Sequence, residues 1–198
     1  MPRTLRISLA LGIVALLVGG PLWYNSYRVK RYRNFRVVEP GILYRSGQMT
    51  VAGLRDVVDT KGIRTVVSLR DGDSRPDQME EAFCVERGIK YVRIIQKQWS
   101  ASDKSIPAEE GVDEFLKVMR DPANYPVLVH CFAGHHRTGA YCAIFRMEFN
   151  HWPQDRAIRE MYDLGYDTIF ADWDVCEYLQ HYRAKGPGPV GRTVSLPR

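Results

Sequence analysis

The stretch Val127-Leu128-Val129-His130-Cys131-Phe132-Ala133-Gly134-His135-His136-Arg137-Thr138-Gly139 (127–139) decides how the chain is read. Pro126 to His130 is a compact apolar run, as in a buried strand. Residues 137–149 read as a helix. A tight loop joins the two. It opens on Cys131 and closes on Arg137, with five residues between them. A loop of this length before a helix can turn several backbone N–H groups toward one point. The positive end of the helix adds to them, which makes an anion cradle. Phe132, Ala133, Gly134, His135 and His136 supply its backbone. Gly134 permits the curvature. Arg137 offers a planar fork of donors that matches two oxygens of a phosphate. The same positive surroundings favour the thiolate of Cys131, its nucleophilic form. Thr138 can donate its hydroxyl to that sulfur. These residues predict a phosphate pocket with a nucleophile at its floor.

Working outward, strands alternate with helices. Strands are expected at 41–45, 63–69 and 89–95, before the one at 126–130. Helices are expected at 50–60, 76–87, 107–119 and 137–149, then at 154–164 and 172–184. Thr50 caps the first of these, and Pro76 starts the second. The alternation predicts an α/β fold with a central, mostly parallel sheet flanked by helices.

The segment HCFAGHHRTG (130–139) resembles the signature of the cysteine-based protein tyrosine phosphatase superfamily, in its dual-specificity branch. A lone Cys-x5-Arg is shared with rhodanese-like sulfur carriers, but His130 and the Thr138-Gly139 pair favour the phosphatases. LYRSGQ (43–48) and TVVSLR (65–70) look like the N-terminal half of the bacterial, plant and fungal atypical members. The resemblance spans roughly 40–165. It implies a dual-specificity phosphatase-like fold with no added cofactor. It also implies roles. Cys131 would be the nucleophile and form a phosphocysteine. Arg137 would bind the phosphoryl oxygens, Thr138 would tune the sulfur, and His130 would brace the loop.

That chemistry needs a general acid for the leaving oxygen. The family supplies an aspartate from a loop upstream. Asp103, 28 residues before Cys131, is the expected one, with Asp71 and Asp73 as alternatives. His135 and His136 either add positive charge to the pocket, which suits multiply phosphorylated substrates, or face solvent at its rim. No metal site is expected. Cys84, Cys142 and Cys176 read as buried small apolar groups. Arg45 has no role that its chemistry assigns. The expected substrate is a tyrosine-phosphorylated protein, with an inositol phosphate or phosphoinositide as alternative. A phosphate-binding module without catalysis is the rival from another class.

The 198 residues carry a formal net charge of +5. Residues 37–184 hold 18 basic against 23 acidic residues, a net of −5, so the basicity lies in the two ends. No nucleic-acid partner is expected. Residues 7–27 contain no charge, and Ile7 to Tyr24 is an apolar run of 18 residues. As a helix it would measure about 27 Å, near the thickness of a hydrocarbon core. The expectation is a single-pass transmembrane anchor at 7–27 after a short segment 1–6. A basic linker 28–39 would follow, then a phosphatase domain 40–184 and a flexible basic tail 185–198. The basic residues after the anchor would place the catalytic domain in the cytoplasm.

Overall fold

A computed structural model describes residues 12–95, 108–167, 169 and 173–186. A π-helical turn, Ala15–Gly19, runs into helix α1, Gly20–Tyr32. Then come β1 (Arg36–Glu39), β2 (Leu43–Gly47), α2 (Val51–Lys61), β3 (Thr65–Ser68), α3 (Arg75–Glu86) and β4 (Lys90–Arg93). The rest is α4 (Ala108–Met119), β5 (Val127–Cys131), α5 (His136–Phe149), α6 (Gln154–Asp163) and α7 (Trp173–His181). The sheet is mixed, in the order β1-β2-β5-β3-β4. β2, β5, β3 and β4 run parallel, and β1 pairs antiparallel with β2 on the edge.

Strand parity divides the core. Val127, Val129 and Cys131 of β5 face a cluster built from α4, α5, α6 and α7. Leu128 faces the other way, with Tyr44 and Val66, onto Leu54, Val57 and Phe83 of α2 and α3. β5 is buried along its whole length because both faces of the sheet are covered. α5 is buried over most of its length, including Thr138 to Phe145, so it packs through the centre of the domain. The helix starts follow local chemistry. The Thr50 hydroxyl accepts from the Gly53 N–H, and Ser74 forms a capping box with Asp77.

The N-terminal expectation is corrected. Among the described residues, no helix is long and apolar enough to cross a membrane. Residues 7–11 of the expected span lie outside the described residues, and its described part runs from Gly12 into α1. Beyond it α1 carries Arg28, Lys30 and Arg31, and its end docks on the domain. Arg31 reaches the Asp56 carboxylate at 2.6 Å and 2.9 Å, and the Tyr32 hydroxyl donates to it at 2.8 Å. The transmembrane helix, the membrane partner, the single-pass placement and the cytoplasmic orientation all fall together. The stretch 28–39, read as a linker, instead holds the end of α1 and the strand β1. Residues 187–198 of the tail lie outside the described residues.

Gly53 lets α1 come this close, since a Cβ there would collide with the Arg31 carbonyl oxygen. A Gly→Ala change inside a helix ordinarily stabilises by up to about 1 kcal/mol. Gly53→Ala is expected to destabilise instead, by roughly 1–3 kcal/mol, measured by denaturant unfolding. A gain in stability would show that the contact is not made.

Candidate active site

The loop at the end of β5 is held from outside by three bonds to three successive carbonyls. The Phe132 carbonyl accepts from the Gln48 N–H at 3.0 Å. The Ala133 carbonyl accepts from Asn34 Nδ2 at 2.9 Å. The Gly134 carbonyl accepts from the Arg45 guanidinium at 2.7 Å. In a planar trans peptide, C=O and the next N–H point in opposite directions. Fixing those carbonyls outward therefore turns the N–H groups of Ala133, Gly134 and His135 toward the inside of the loop. The Gly134 N–H lies 3.3 Å from Cys131 Sγ. Gly134 has φ +85°, and a Cβ on it would collide with the backbone of Ser46 and Gly47. The loop and β2 thus pack backbone to backbone, which a side chain at 134 would prevent.

Four free cysteines are buried, and their thiols divide by surroundings. Burial pushes Cys84 up to about 12 and Cys142 up to about 11. Burial also pushes Cys131 up, but Thr138, the Gly134 N–H and the charge of His130 outweigh it, and its thiol is lowered. The Thr138 hydroxyl is buried and makes no well-directed hydrogen bond, yet it stands near enough to the sulfur to favour the thiolate.

His130, next to the thiol, points by strand parity to the opposite face. Its Nε2 lies 2.7 Å from a Glu80 carboxylate oxygen, an ion-pair distance without hydrogen-bond alignment. The Tyr91 hydroxyl donates to the same carboxylate at 3.0 Å. Burial pushes the imidazole down, but Glu80 outweighs it, and the net direction is up.

Arg137 sits at the second position of α5, part-exposed. Its Nη1 donates to the Leu69 carbonyl at 2.9 Å and lies 3.8 Å from Asp71. The remaining guanidinium N–H groups stay available for phosphate oxygens. Phe132 is 54% exposed on the rim. The Arg33 guanidinium lies 3.8 Å from its ring centroid and that of Arg70 lies 5.2 Å away. Burial pushes the Asp77 carboxyl up, but Arg70, Ser74 and Gln48 outweigh it and hold it at about 2. This fixes Arg70 beside the loop.

His135 is engaged through both ring nitrogens. Nδ1 lies 2.9 Å from the Leu164 carbonyl, which can only accept. Nε2 lies 2.8 Å from Asn34 Nδ2, whose other hydrogen goes to Ala133. These partners assign the neutral tautomer with the proton on Nδ1. His136 is exposed and packs on the Tyr166 ring, 4.5 Å between centroids. Asp71 and Asp73 are exposed in the loop after β3. Asp103 lies outside the described residues.

The family model described as "DSP-PTPase phosphatase fused to NAD+ Kinase" matches residues 29–168. The chain belongs to this family of cysteine-based phosphatases. It is 31% identical over 110 residues to the tyrosine-protein phosphatase-like protein OCA2 of Saccharomyces cerevisiae, covering 56% of this chain and 53% of that one. It is 34% identical over 113 residues to the inositol diphosphatase DSP1 of Oryza sativa, covering 57% and 49%. It is 29% identical over 178 residues to the dual specificity protein phosphatase TpbA of Pseudomonas aeruginosa, covering 82% and 73%. The chain thus spans about half the length of the first two relatives. In fold it resembles the core catalytic domain of the PP-IP phosphatase SIW14 of S. cerevisiae, with a TM-score of 0.64 and 22% identity over 77% of this chain and 87% of that one.

Two changes test the account of the loop. Arg45→Met leaves the buried Gly134 carbonyl without its donor, at a cost of about 1–3 kcal/mol. It is expected to raise the Cys131 thiol, read as thiolate absorbance against pH. An unchanged titration would mean that Arg45 does not shape the cradle. His130 gains a partner on folding, so its stabilisation is full below the unfolded value of 6.5. It is lost as pH rises through the raised folded value. Glu80→Gln should therefore lower stability more on the acidic side of that window than on the alkaline side. An equal loss at both ends would contradict the ion pair.

Proposed function

We propose that the protein hydrolyses phosphate monoesters in two steps through Cys131. The observation that carries this reading is the loop geometry, in which three carbonyls are fixed outward and the Gly134 N–H lies 3.3 Å from Cys131 Sγ, the one of four buried thiols that is lowered. In the first step the thiolate attacks phosphorus while the ester oxygen leaves with a proton from the general acid. In the second, water attacks the phosphocysteine while the acid, now a carboxylate, takes its proton; the S–P bond breaks, and phosphate departs with thiolate and acid restored. The inward N–H groups and Arg137 hold the equatorial oxygens in both steps, where charge develops. Thr138 stabilises sulfur as it leaves, and His130 braces the loop. Asp103 is the proposed acid. The catalytic unit is the 40–184 domain together with residues 29–39, because Asn34 and β1 belong to the site and its sheet.

The proposed substrate is a tyrosine-phosphorylated protein, with dual specificity open to the same cup, the space that the 131–137 loop encloses. The relatives named as phosphatases favour an enzyme over an inactive phosphate-binding module. Arg33 and Arg70 around Phe132 favour a second reading, in which an inositol phosphate carrying further phosphates enters the cup. The rice relative named as an inositol diphosphatase supports it.

A substrate panel tests these readings. Cys131→Ser is expected to abolish turnover while phosphate still binds. Asp103→Ala is expected to slow a substrate with a poor leaving group by ~10²–10⁴-fold. A loss within a few-fold would assign the acid elsewhere. Turnover unaffected by Cys131→Ser would overturn the mechanism.

A further inference from the structure

Beside the cup a groove of about 580 Å³ runs between β1 and α6. Arg36, Trp152, Arg156, Arg159, Asp163 and Leu164 line it. The three arginines are exposed. Among the described residues none of the three makes an ion pair. Glu160, at the groove wall, is engaged by Arg146 at 2.9 Å, so it does not offset them. Asp163 is the remaining acid of the lining. The groove therefore carries a net positive charge. Trp152 forms its half-buried floor, with the Arg156 guanidinium 3.7 Å from its ring centroid.

The groove is joined to the cup. Leu164 lines it, and the Leu164 carbonyl accepts from His135 of the catalytic loop. Arg36 lies two residues beyond Asn34, which bonds Ala133 and His135. The Leu164 end of the groove therefore adjoins the loop through His135.

We propose that this groove is an exosite for an acidic polypeptide segment of a phosphoprotein substrate, bound while the phosphorylated residue sits in the cup. It rests on the reading of the protein as a protein phosphatase. Charge complementarity selects an anionic ligand, because guanidiniums pair with carboxylate or phosphate in a bidentate manner. The Trp152 ring, with Arg156 3.7 Å and Arg146 4.4 Å from its centroid, holds guanidiniums at the groove. Asp163 repels a ligand that is anionic throughout, such as a nucleic acid or an inositol polyphosphate. A peptide chain tolerates it, since backbone N–H groups can meet the carboxylate. Such a surface raises encounter rate and specificity more than it changes the chemical step.

Two phosphotyrosine peptides decide it, one with a run of Glu and Asp flanking the phosphoresidue, the other with Gln and Asn in the same places. A small aryl phosphate serves as reference. The acidic peptide is expected to show a KM about three- to fivefold lower at equal kcat, an advantage that shrinks as salt rises. Arg159→Glu, alone or with Arg156→Gln, removes the advantage and leaves turnover of the aryl phosphate unchanged. Equal KM for the two peptides in the wild type overturns the proposal, as does an advantage that survives Arg159→Glu. An inositol polyphosphate that competes with the wild type and not with Arg159→Glu overturns the peptide assignment. Absence of aryl phosphate turnover sinks the catalytic reading instead. The groove is then judged by titrating the unphosphorylated acidic peptide into wild type and Arg159→Glu. A matching three- to fivefold difference in affinity supports it, and equal affinities overturn it.

Discussion

The rest of the site depends on one constraint, the outward fixing of the carbonyls of Phe132, Ala133 and Gly134. A peptide plane has two polar ends, and a protein that wants N–H groups at one point must place the carbonyls elsewhere. Three donors from distant parts of the chain do this: the backbone of Gln48, the amide of Asn34 and the guanidinium of Arg45. The effect on the sulfur follows from the geometry. A buried thiol with no such surroundings rises, as at Cys84 and Cys142, whereas the thiol in the loop falls. The cradle exists before any substrate arrives, so its donors need little reorganisation during the reaction.

The fold supplies those donors through ordinary packing. β2 lies directly beside β5, with Ser46 opposite His130 and Gly47 opposite Cys131. That register brings Arg45 and Gln48 to the loop. Parity along β5 sends Cys131 to one side and His130 to the other, where Glu80 on α3 meets it. The turn after α1 brings Asn34 and Arg33 over the loop from a third direction. Sheet, helix and N-terminal segment therefore converge on a handful of backbone atoms.

Much of this was legible in the sequence, for a physical reason. A strand, a tight loop and a helix that are contiguous in the chain announce themselves through apolar runs, glycine and capping. The loop's own residues, 130–139, could be named for that reason. The parts that escaped are non-local. Arg45 meets Gly134 across 89 positions, and nothing in the local pattern around LYRSGQ says which carbonyl it will find. Glu80 stands in an acidic helical stretch and is distinguished only by facing inward. Asn34 and β1 sat in a stretch whose basic charge masked Val37, which pairs with Tyr44 of β2. The apolar run before them read as a membrane span because hydropathy counts residues. It does not register a π-helical turn, or a basic helix end docked on Asp56.

The central claim is that the loop is a preformed anion cradle that activates one of four buried thiols. The most direct test is mass-spectrometric mapping of iodoacetamide labelling in the folded wild-type protein at neutral pH, with and without inorganic phosphate. The account predicts that Cys131 labels well ahead of Cys84 and Cys142, and that phosphate protects it selectively. Labelling of Cys131 no faster than of those two, or no change on adding phosphate, would contradict it.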